Sequence, residues 1–169
     1  MQIIIMGLII IINLILQGSI MPFFEFLVYI PNPALVSVVI ISIFKGKYYG
    51  AFFGLVLGLL QDILYGDIIG IYGLAYFLIA YGIGMIHDYL NEENKIIHIV
   101  FTAIGTVLYN LIYSLAMYFL ARNITFIGAI KRIFSIEILY NCIIAILIYN
   151  LFHSLFHKSS LKFGKKTGW

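Results

Sequence analysis

Apolar residues run along this chain in long, nearly unbroken stretches, and short polar or proline-rich clusters cut those stretches into six segments. The first, Met1 to Met21, carries Asn13 and Gln17 four residues apart on one helical face, where bonds to adjacent helices are expected. It lacks a basic leader and a small-residue cleavage site, so it reads as a retained first span. Pro22 to Pro33 is bracketed by prolines and rich in aromatics, which predicts an interfacial or re-entrant connection. Ala34 to Phe44 is a second span, short for a crossing helix, and Lys45 and Lys47 mark the turn after it. Tyr48 to Tyr65 is the third span and Ile71 to Ile86 the fourth. Between them lies the turn Gly66 to Gly70, whose glycines permit positive φ. His87 to Lys95 is a water-exposed loop, Ile96 to Leu120 the fifth span, Arg122 to Arg132 a loop, and Ile133 to Phe156 the sixth span.

Within the third span, Gly46, Gly50, Gly54 and Gly58 recur every fourth residue, and Asp62 takes the next place in the row. Each step of four advances a helix by about 400 degrees, so the row lies as an inclined ridge without side chains. Lipid tails are as apolar as leucine, so membrane helices associate through close packing, which such a ridge allows. Internal packing is the first expectation for it and a partner contact the second. Gln61 and Asp62 place polar groups at its end, where an unpartnered carboxylate would be costly.

Composition supports the same picture. The chain has 169 residues, 63% hydrophobic and only 10% charged, with a mean hydropathy of +1.09. Soluble domains approach about a quarter charged residues. The runs are long and continuous, as in helices, where barrel strands would alternate. The fold class expected is therefore an all-α membrane protein, a six-transmembrane-helix bundle over residues 1–156 with a basic cytoplasmic tail over 157–169.

Charge placement sets the orientation. With both termini inside, the cytoplasmic side receives Lys45, Lys47, Lys95, Lys158, Lys162, Lys165 and Lys166, and the outside only Arg122, Lys131 and Arg132. In the tail, Lys158, Lys162, Lys165 and Lys166 can meet anionic lipid or serve only as a topology signal. No basic face on a folded domain suggests nucleic acid.

Catalytic and metal chemistry find little footing. His153 and His157 are four residues apart, but no nearby carboxylate frame supports ligation, and interfacial solvation is the simpler reading. His87, Asp88 and His98 read as helix-end residues. Glu137 follows Arg132 closely and reads as its ion-pair partner. Cys142 lies in an apolar run and reads as a small hydrophobe. No catalytic residue, cofactor or metal is expected, and the chain is not read as an enzyme.

The stretch Pro33 to Gly84, with its basic turn KGKYYG and the run GLVLGLLQDILYGDIIGIYG, resembles the MreD family of bacterial rod shape-determining membrane proteins. Gly54, Gly58, Gln61, Asp62, Gly66, Gly70 and Tyr72 match the family's pattern of paired glycines, an acid and a glycine-rich turn. The resemblance implies a noncatalytic subunit of the cell-wall elongation complex in the cytoplasmic membrane. It would bind MreC and work beside MreB, RodA and a class B penicillin-binding protein in setting rod shape and regulating peptidoglycan synthesis. It also implies a fold similar to the substrate-binding subunit of energy-coupling-factor transporters. On that reading Gly50, Gly54, Gly58, Gln61, Asp62, Gly66, Gly70 and Tyr72 are the helix-packing or partner-contact residues. The alternative is a vitamin-binding subunit of such a transporter, with Tyr72, Tyr76, Tyr109, Tyr113 and Asn110 forming its pocket.

Overall fold

The computed structural model describes residues 2–24, 30–66, 68–120, 126–133 and 135–161. These form helices α1 (Gln2–Ile15), α2 (Pro33–Tyr65), α3 (Ile71–Met85), α4 (Lys95–Phe119), α5 (Phe126–Ile133) and α6 (Glu137–Leu161). Helix α1 continues into a wider turn at Leu16–Ile20 and a tighter one at Met21–Phe24. By length and apolar composition three stretches can cross a bilayer: Pro33–Tyr65, Lys95–Phe119 and Ile130–Phe152. Ile4–Ile20 and Ile71–Met85 are shorter apolar helices.

Helix α2 is a hairpin. Gly46 sits at φ 75, ψ −175, a backbone region open in practice only to glycine, and the chain folds back there. A Cβ built on Gly50 would lie 2.8 Å from Ser42 Cα, and one on Gly54 would lie 3.2 Å from Val38 Cγ1. In an unbroken helix those pairs would be about 12 and 24 Å apart. The two arms, 33–45 and 47–65, are the second and third sequence segments, joined at the basic turn.

The first arm is the centre of the molecule. Every residue from Ala34 to Ile43 is buried, with relative exposures of 0 or 1%. A helix apolar all round belongs inside a bundle, and α1, the second arm, α3, α4 and α6 all pack around α2. Its two polar side chains are absorbed locally: Ser42 Oγ donates to Val38 O at 2.7 Å and Ser37 Oγ to Pro33 O at 2.9 Å. The arm begins with Pro33 in the first helical position and Asn32 as cap, its Oδ1 accepting from Leu35 N at 3.0 Å.

Contacts along the chain show successive segments running in alternating directions. Asn13 donates to Ser37 Oγ at 3.1 Å, and Tyr65 Oη donates to Leu14 O at 2.8 Å. Asn141 meets Asn32 and Thr106 at one end of the bundle, while at the other Tyr149 donates to Glu93 O at 2.7 Å. Lys45, Lys47 and Lys95 thus share the end that holds the Gly46 turn, whereas Lys131 and Arg132 belong to the opposite end. The outward faces carry Ile4, Leu8, Phe52, Ile63, Leu74, Ile104, Leu115 and Leu147, all exposed, as a lipid-facing belt requires.

Several expectations need correcting. The Arg122 to Arg132 stretch read as a loop is helical from Phe126 onward, in α5, and the last helix starts at Glu137, after the non-helical Ser135 and Ile136. Gly66 does not use positive φ: it is extended at φ −87, whereas Gly70 does adopt φ 106. His98 is a helix-end residue as expected, but it is fully buried, stacked on Phe44 at 5.0 Å and against Tyr149 at 4.5 Å. The side chains of His153, His157 and Lys158, and the residues Lys162, Lys165 and Lys166, lie outside the described parts.

Candidate functional site

The glycine row builds one continuous interface. Because the ridge is inclined, its upper and lower members meet different neighbours. Gly50 faces Ser42 of the first arm, Gly54 faces both Val38 and the backbone of Tyr76, and Gly58 faces α3 alone. A Cβ on Gly58 would lie 2.6 Å from Tyr72 O and 2.7 Å from Gly73 Cα. Glycines answer from the other side: a Cβ on Gly73 would lie 2.9 Å from Leu59 Cδ2, and one on Gly84 would collide with the backbone of Lys47. The second arm and α3 therefore run antiparallel almost backbone against backbone, the geometry small residues permit.

Asp62 closes that interface. Its carboxylate is 1% exposed, with Oδ1 accepting from Tyr72 N at 3.0 Å and Oδ2 from Gly73 N at 2.9 Å. Those are the second and third amides of α3, the donors that a capping side chain ordinarily satisfies. The residue in the cap position is Gly70, which makes no side-chain bond there. Asp62 supplies that cap from the preceding helix, and its negative charge lies at the positive end of the α3 dipole. Gly66 follows because a Cβ there would lie 2.7 Å from Asp62 O. Gln61 is 2% exposed, and its Oε1 has no partner among the described residues.

A second polar group occupies the same end of the bundle, between α2, α3, α4 and α6. Asn141 Oδ1 accepts from Asn32 N at 2.8 Å while its Nδ2 donates to Thr106 Oγ1 at 3.0 Å, and Tyr76 Oη donates to Asn32 Oδ1 at 3.0 Å. Arg132 and Glu137 make no direct ion pair. Asn110 stands between them, accepting from Arg132 Nε at 3.4 Å and donating to Glu137 Oε2 at 3.1 Å. The two charges stand five residues apart, one more than the facing i,i+4 spacing, and on different helices, so local geometry does not pair them directly. Tyr72, Tyr76, Tyr109 and Tyr113 pack with ring centroids about 6 Å apart, Tyr72 stacked on Tyr109 at 5.9 Å. Of the four, Tyr72 and Tyr109 border a cavity of about 270 Å³ lined also by Gln17, Asn32, Arg132 and Glu137, together with Ile30 and Pro31.

Sequence reasoning singled out the ridge, Asp62 and the tyrosines, but not the role of Asn32 or Asn141. Asn32 precedes a proline and an apolar run, which is the signature of a helix cap and could have flagged it. Among the described residues no cluster of three potential metal ligands occurs. The family model described as rod shape-determining protein MreD matches residues 1–159. No curated protein and no solved structure gives a match.

Proposed function

This chain belongs to the MreD family of rod shape-determining membrane proteins, and from that premise we propose that it is a noncatalytic subunit of the cell-wall elongation complex that binds MreC. MreB, RodA and a class B penicillin-binding protein are the further members of that complex, and the lipid bilayer is its setting. Six crossings, with both ends of the chain in the cytoplasm, belong to the same reading. Its support is the alternating direction of the helical segments and the gathering of Lys45, Lys47 and Lys95 at one end.

The observation that carries the proposal is the glycine interface sealed by Asp62. It brings the second arm of α2 and α3 together with backbone close to backbone at Gly54, Gly58 and Gly84, which makes the pair a stiff slab that presents Phe52, Ile63, Leu74 and Leu78 outward. Asp62 is too enclosed to touch a partner itself. Its part in holding MreC is to keep the slab's two helices in register, and Gly50, Gly54, Gly58, Gly66, Gly70 and Tyr72 act to the same end. Co-purification of MreC from native membranes tests this. Gly58→Leu, which forces the slab apart, is expected to reduce MreC recovery at equal expression, and unchanged recovery from a folded variant refutes it. A vitamin-binding subunit is the second reading. The tyrosine cluster favours it, but a cavity of about 270 Å³ falls below the roughly 300–1,000 Å³ of sites for drug-sized ligands.

A further inference from the structure

The cavity at the Asn32 end lies beside the slab and shares Tyr72 with it, and its lining holds both an arginine and a glutamate. Arg132 is anchored by its Nε bond to Asn110 and lies with its guanidinium carbon 4.0 Å above the Tyr113 ring. Among the described residues its side chain makes no other hydrogen bond, so the edge bearing its two terminal nitrogens remains available as a fork of the kind that grips a carboxylate. Glu137 is 5% exposed and lines the same cavity. Its Oε2 is held by Asn110, so one neutral amide keeps cation and anion apart instead of letting them neutralise each other. Separated charges in a poorly solvated place are costly unless each is completed by a counter-charge or hydrogen bonds. Gln17 adds an acceptor: its Oε1 is buried without a partner among the described residues and lines the cavity. Tyr72 and Tyr109, stacked on each other, add aromatic surface to the lining.

We propose that this cavity binds a small zwitterion of the α-amino-acid class, its carboxylate on the Arg132 fork and its ammonium between Glu137 and Gln17, with its side group against Tyr72 and Tyr109. The pairing of signs selects for both charges on one molecule. A simple anion is opposed by Glu137 and a simple cation by Arg132, so neither half-ligand satisfies the site alone. The small volume restricts the side group to a few heavy atoms. The inference is independent of MreC binding and stands or falls separately.

The test uses the full chain in lipid nanodiscs, with glycine, serine and both enantiomers of alanine as probes and acetate and methylammonium as single-charge controls. At least one amino acid is expected to raise the unfolding midpoint by about 2 °C or more, because a ligand that binds only the folded state stabilises it. Acetate plus methylammonium at equal concentration should not. Arg132→Gln and Glu137→Gln should each weaken binding by about tenfold or more, read by calorimetry. Should either variant fail to fold, Gln17→Ala, at a partly exposed position outside the Asn110 bridge, should still weaken binding about threefold or more. No shift with any amino acid, an equal shift with acetate alone, or undiminished binding in all folded variants overturns the proposal.

Discussion

Asp62 reaches from the end of one helix to the first turn of the next, its two carboxylate oxygens 3.0 and 2.9 Å from the backbone nitrogens of Tyr72 and Gly73. Removing it leaves two amides in a buried place with no acceptor, at about 1–3 kcal/mol each. Asp62→Ala should therefore destabilise the folded protein by roughly 2–6 kcal/mol. Asp62→Asn keeps one acceptor and should lose less. Denaturant unfolding in mixed micelles gives both values, and an alanine variant as stable as the parent would show that the cap is dispensable.

Glycine positions divide sharply by what stands opposite them. A Cβ on Gly58 meets α3 backbone at 2.6 and 2.7 Å, whereas one on Gly82 meets nothing within 4 Å. Gly58→Ala must push two helices apart and should cost about 2 kcal/mol or more, in the range of overpacking. Gly82→Ala should be neutral or stabilise by up to about 1 kcal/mol. Thermal unfolding of the two variants side by side makes the comparison, and equal behaviour contradicts a close helix contact.

At the hairpin, Gly46→Ala places a side chain in a backbone region of positive φ and should cost about 1–3 kcal/mol. His87 sits against the same residue, its Cδ2 3.3 Å from where the new Cβ would be, so relief by local movement is limited. Gly82→Ala, where the new side chain meets nothing within 4 Å, serves as the control. A Gly46→Ala protein with an unchanged midpoint would show that the chain does not reverse there.

Orientation can be read chemically. In a Cys142→Ala background, a cysteine at exposed Tyr48, beside the basic turn, should react with a membrane-impermeant maleimide only after the cells are opened. A cysteine at Ile69, 72% exposed at the opposite end, should react in intact cells. The reverse pattern inverts the topology.

The Asn141 amide joins α6 to α4 and to the start of α2 through bonds of 2.8 and 3.0 Å. Asn141→Ala should cost about 2–4 kcal/mol by orphaning buried partners. Tyr76→Phe removes only the 3.0 Å bond to Asn32 and should cost about 1 kcal/mol. The ratio of the two, from unfolding curves under identical conditions, is the measured quantity.

Spacing made part of this legible. Glycines every fourth residue followed by an acid could be read as a bare ridge with a polar end, and KGK as a reversal, because both depend only on local geometry. The identity of the neighbours could not. A uniformly apolar helix looks the same whether lipid or protein surrounds it, so nothing in Ala34 to Ile43 marked it as the centre; its shortness was the only hint. Asp62 was expected to need a partner, but backbone amides carry no sequence signature, and the partner proved to be the main chain of α3. The Asn110 bridge joins residues on three helices, α4, α5 and α6, and local spacing around Arg132 suggested a direct pair instead.

The enclosed first arm also bears on how the protein is made. It leaves the ribosome before α4 and α6, which complete its covering, so the nascent chain carries an unfinished interior until they follow. A segment this short is poorly suited to lodging in the bilayer unaided, and the Gly46 reversal lets it enter together with the longer arm that follows. Chains terminated before α4 would display that bare surface to whatever surveys the membrane for incomplete products.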